Sequence, residues 1–131
     1  MYAYSVSQDN VIDDFNFKRP TNDEADDNKV NDLFYWRKHP NLHGLMEQIW
    51  IDRGGCTEGS TEGVFNCQKI RLYLEDITKI ENAVNSGNLP LTEGFFFGVS
   101  TPEQKEEDLE FCALAKSEIE KGRAVYYDSW W

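Results

Sequence analysis

The 131-residue chain is short of bases, nearly without histidine, and lacks any long apolar run. Lys and Arg number 13 against 24 Asp and Glu, and with two histidines the formal net charge is −11. Nonspecific grip on a nucleic-acid backbone needs a basic surface, so no direct nucleic-acid binding is expected. No apolar stretch approaches the roughly 18 residues of a membrane-spanning helix. The opening residues MYAYSVSQDN have neither the basic nor the apolar region of a signal peptide. A cytoplasmic protein with no membrane association is the expectation. Cys56, Cys67 and Cys112 form no CxxC pair, which argues against a disulfide framework and a four-cysteine zinc site. Cys112 stands among apolar residues at helical spacing and reads as core; Cys56 reads as a free thiol in a Gly-rich loop. The GxSxG elbow, the GxxxxGK[ST] and GxGxxG loops and the HExxH zinc motif are all missing. The sequence therefore assigns no catalytic residue, no metal site and no cofactor.

What is present suits a globular domain. Hydrophobic residues make up 40% and aromatics 14% of the chain, above the range of disordered segments. The first 33 residues differ from the rest. Eight acids (Asp9, Asp13, Asp14, Asp23, Glu24, Asp26, Asp27 and Asp32) face three bases (Lys18, Arg19 and Lys29), a net −5. This reads as an acidic N-terminal arm, carrying a short strand or two and docked on a compact domain over 34–131.

The spacing of Leu42, Leu45, Met46, Ile49 and Trp50 predicts a helix over 41–53, begun at Pro40 and ended by Gly54 and Gly55. Alternation of Ile70, Leu72 and Leu74 with Lys69, Arg71 and Tyr73 predicts a half-buried strand. Glu75 and Asp76 open a second helix, closed by Gly87. A short apolar strand is expected at 95–99, and Thr101, Pro102 and Gln104 mark the start of a third helix that Gly122 stops. A last strand covers 124–127. The fold class is α+β: a three- to four-stranded sheet with about three helices packed on it. A parallel crossover between the last two strands is permitted.

The chemistry-bearing residues gather in FYWRKHPNLHG, which begins at Phe34, and in YYDSWW at the end of the chain. If the two stretches meet, Trp36, Arg37, Lys38, His39, His43, Tyr127, Asp128 and Trp130 line one site. Aromatic walls with cationic donors suit a planar or anionic ligand, such as a nucleotide or phosphorylated metabolite. His43 would then be available as a general base. The structural alternative is equally physical: the aromatics fill the core and Arg37 and Lys38 pair with nearby acids. His43 and Glu47, one helical turn apart, make an incomplete ligand pair for a metal.

The blocks YWRKHPNLHGLMEQIW, FNC, LEDI, FFFG, DLEF and YYDSWW, in this order, resemble a group of small uncharacterised tailed-bacteriophage proteins. The likeness spans residues 34–131. Members are at times labelled phosphoglycerate kinase, which this chain does not fit: it is far shorter than that two-domain enzyme and has no nucleotide-phosphate motif. The resemblance implies a phage-encoded protein acting in the cytoplasm of an infected bacterium and transfers no catalytic residue. A non-enzymatic binding protein, acting on a host, defence or phage protein, is the leading expectation. Mimicry of nucleic-acid charge is one form of it. A small-molecule binding or sequestering protein, with or without hydrolysis, is the alternative, and a virion component is a third.

Overall fold

The structure, a computed structural model, describes residues 1–18, 30–36, 40–54, 69–87 and 103–128. Their order is β1 (Tyr2–Val6), β2 (Val11–Asp13), β3 (Asn16–Phe17), β4 (Val30–Tyr35), α1 (Pro40–Asp52), β5 (Lys69–Leu72), α2 (Leu74–Ser86), α3 (Gln104–Glu120) and β6 (Ala124–Asp128). The fold is α+β. Four strands form an antiparallel sheet in the order β4-β1-β6-β5, and β2 and β3 form a small hairpin.

The sheet buries both faces. Ala3, Ile70, Leu72, Val125 and Tyr127 face the helices, where Leu42, Met46, Ile77, Ile80 and Phe111 meet them. Tyr4, Val6, Ala124 and Tyr126 face the other way and are covered by Phe17 of the hairpin. The register accounts for this division. Ala3 pairs with Tyr127, and Tyr4 pairs with Tyr126, so successive residues of β1 and β6 enter opposite cores.

The three expected helices are present. α1 buries Leu42, Leu45, Met46, Ile49 and Trp50, the positions that the spacing predicts. Cys112 is a buried free thiol whose pKa desolvation pushes up to about 12, as a core residue requires. Gly87 and Gly122 take left-handed φ values of 71° and 84°, and their N–H groups close the ends of α2 and α3 onto Val84 O and Ile119 O.

Two expectations need correction. Leu74 is not the third inward residue of β5; it opens α2 and is half exposed. The chain turns because the Asp76 carboxylate accepts the Tyr73 backbone N–H at 2.8 Å, which caps the helix at once. Nor is the N-terminal segment an appendage. β1 lies inside the sheet between β4 and β6, and β4 runs across the expected boundary at residue 33. Backbone pairing on two sides and side-chain burial on two faces make β1 part of the main core. The strand expected at 95–99, the helix start at Thr101 and Pro102, and Cys56 and Cys67 lie outside the described residues. So does one partner of the permitted parallel crossover.

Deletion of residues 1–6 tests the interior placement. It removes the one described partner strand of β4 and one of the two of β6, so cooperative thermal unfolding and the near-UV circular dichroism signal should both vanish. A dispensable arm would leave the melting temperature nearly unchanged.

Candidate functional site

Trp36, His43, Tyr127 and Asp128 are the expected site residues that the structure describes, and all four are buried. Arg37, Lys38, His39 and Trp130 lie outside the described residues. Trp36, His43 and Tyr127 converge at one end of the sheet, beneath the helices.

Trp36 follows β4. Its N–H donates to Met1 O at 2.9 Å, and the Met1 amino group donates back to Trp36 O at 3.1 Å. The β1–β4 ladder thus extends one pair beyond Tyr2 and Tyr35. The indole is 1% exposed, and its Nε1–H donates to Asp108 Oδ1 of α3 at 3.0 Å. Phe111 meets the indole edge-on, with centroids 4.8 Å apart.

His43 sits in the first turn of α1, 3% exposed, on the same stripe as Met46 and Trp50. Its Nδ1 and the Tyr127 hydroxyl share a hydrogen bond of 2.7 Å. Burial pushes the imidazole pKa down to about 4, and the positive charge at Met1 adds to the effect. The ring is therefore uncharged at neutral pH. The Met1 amino group is itself lowered by burial, an effect that the Asp128 carboxylate opposes. Asp128 lies between Tyr2 of β1 and Lys69 of β5 in the sheet register.

Chemically, this cluster is a seam and not an open site. Hydrogen bonds tie β4 to α3 and β6 to α1, and a base buried to this degree does not meet a substrate. Among the described residues, no group of three His, Cys, Asp or Glu side chains is placed to hold a metal ion. No helix among them is long and apolar enough to cross a membrane.

A second polar network, missed in the sequence, lies at the surface where α1, β5 and the hairpin meet. Arg53, just past α1, forms an ion pair with Asp76, stands 3.8 Å from Asp14 and donates to Arg71 O at 3.1 Å. Tyr73 donates its hydroxyl hydrogen to Asp14 Oδ1 at 2.6 Å, a bond that raises the phenol pKa. The guanidinium carbons of Arg53 and Arg71 lie 4.7 and 4.6 Å from the Tyr73 ring centroid. Arg71 N–H donates to Asp14 O at 2.7 Å. The only sequence signal for this network is the outward alternation Lys69, Arg71, Tyr73.

No family model, curated protein or solved structure matches the chain.

Two measurements test the seam. Trp36→Phe removes the donor to Asp108 and should cost about 1–3 kcal/mol in denaturant unfolding, with the fold retained. For His43 the folded-state pKa lies below the unfolded 6.5. The folded state resists protonation, so the stability is fully present above about pH 6.5 and drains as the pH falls toward 4. The loss amounts to about 3 kcal/mol at most. The stability gap between wild type and His43→Asn should shrink over this window; a gap independent of pH would show that His43 titrates normally.

Proposed function

We propose that the chain is a non-enzymatic binding protein whose partner is another protein. In the setting that the bacteriophage resemblance implies, the partner is a host, defence or phage protein in the cytoplasm of an infected bacterium.

The observation that carries this reading is the division of aromatic and cationic chemistry between core and surface. The imidazole of His43 and the indole of Trp36 are closed inside, bonded to Tyr127 and Asp108. Tyr73, 37% exposed, stands at the surface with two guanidinium groups over its ring. Tyrosine and arginine are the residue types enriched at the energetic centres of protein interfaces. The net charge of −11 keeps such a protein soluble and favours recognition by charge. A nucleotide or phosphorylated-metabolite pocket is the weaker reading, because its proposed base, His43, is almost wholly buried.

Native mass spectrometry of the protein purified from a bacterial lysate at low salt tests this, with the same sample then denatured. A stoichiometric protein partner is expected, released as salt nears about 1 M, where the Debye length shrinks to about 3 Å. A small molecule set free only on denaturation would overturn the reading in favour of the pocket.

A further inference from the structure

Lys69 and Arg71 are the two cations of β5, two residues apart and on the same face of the sheet, opposite to inward Ile70 and Leu72. Both are partly buried, yet among the described residues neither makes an ion pair. Lys18 and Lys105, for which no ion pair is recorded among the described residues either, are exposed, whereas Lys69 and Arg71 are partly buried. Arg53, Lys79, Lys116 and Lys121 all pair with carboxylates.

The fold holds these two cations over aromatic rings. The Lys69 ammonium stands 5.7 Å from the Phe17 ring centroid, and the Arg71 guanidinium 4.6 Å from that of Tyr73. Asp14, whose backbone carbonyl accepts the Arg71 N–H, has its carboxylate engaged elsewhere: Oδ1 accepts the Tyr73 hydroxyl, and Oδ2 faces Arg53. Arg71 is thus positioned in advance, with its planar donor fork unanswered by a carboxylate. Exposed Leu74 and Ile12 supply apolar surface on the elements beside it.

We propose that Lys69 and Arg71 form a docking site for an extended acidic segment of a partner protein. This deepens the protein-binding reading and rests on it. The spacing specifies the segment. Residues i and i+2 of a strand lie on one face roughly 6.8 Å apart. An extended partner segment with carboxylates at alternate positions therefore meets both cations at once, its intervening residues turned away. Strand addition to β5 is not the mode at Arg71, where Asp14 O and the Arg53 side chain already occupy the backbone N–H and C=O. Recognition passes through side chains: a forked, charge-assisted pair at Arg71, a point charge at Lys69 and the Tyr73 ring as a wall.

The probe is a short fluorescein-labelled peptide alternating Glu and Val, followed by anisotropy at about 0.15 M salt, where the Debye length of about 8 Å screens distant acids. A peptide of the same composition with its glutamates in one block is the comparison. The alternating peptide should bind more tightly. Lys69→Gln/Arg71→Gln should weaken it about tenfold or more, as expected for loss of a charge-assisted pair, whereas Lys116→Gln should not. Thermal melting shows that each variant is folded, and Arg71→Lys provides a milder change should Arg71→Gln fail to fold. Equal binding of the two peptides, or of wild type and variant, overturns the proposal. So does self-association of the wild type that the double variant abolishes, which would make the occupant a second copy. If a partner captured from lysate stays bound to the double variant, this site is wrong while the protein-binding reading stands.

Discussion

The fold depends on one strand. Tyr2–Val6 lies between β4, its neighbour on one side, and β6 at the far end of the chain on the other. Without it the two halves of the sheet share no described backbone pairing. Its side chains also join two cores, with Ala3 under the helices and Tyr4 and Val6 under the hairpin. The Arg123 side chain reinforces this from the turn before β6, donating to Ser5 Oγ at 2.6 Å and to Ser5 O at 3.0 Å. A strand with neighbours on every side gains from each of them, and so any loss there is cooperative.

This strand was also the part of the fold least legible in the sequence. Half-buried strands betray themselves by alternation, and β5 does so, with Ile70 and Leu72 buried and Lys69 and Arg71 partly exposed on the other face. An interior strand covered on both faces loses that signal. Ala3, Tyr4, Ser5 and Val6 are all buried, and YAYSV reads as no particular pattern. The acids between Asp9 and Asp32 then dominate the average over the segment, and a core strand is taken for part of a docked acidic arm. The helices were legible for the opposite reason: α1 and α2 each bury a stripe at a spacing that only a helix produces.

The candidate site was legible as a gathering of residues but not as a burial state. Trp36, His43 and Tyr127 do converge. Aromatic rings, an imidazole and a carboxylate describe a ligand pocket and a satisfied polar core equally well in one-letter code. One clue favoured the core. His43 precedes Met46 by three and Trp50 by seven, which places it on an apolar helical stripe. The Arg53–Tyr73 network had no such clue, because its partners come from a hairpin turn, a strand end and two helix ends. Only the folded chain brings Asp14, Arg53, Arg71 and Asp76 together.

The two polar clusters are linked by how each meets the acidity of the chain. Surface carboxylates repel one another and are relieved as they take up protons, so a falling pH initially eases the strain of a net charge of −11. His43 works in the other direction, since its protonation places charge in the core beside the Met1 amino group. A falling pH therefore costs the folded state stability at this one buried ring. Asp14 and Asp76 are engaged by Tyr73 and Arg53, and among the described residues the Arg71 fork meets no carboxylate. Among the described residues, the chain thus keeps its imidazole neutral inside and the partly exposed Arg71 guanidinium without an ion pair. The first of these serves stability, and the second gives an acidic partner a place to bind.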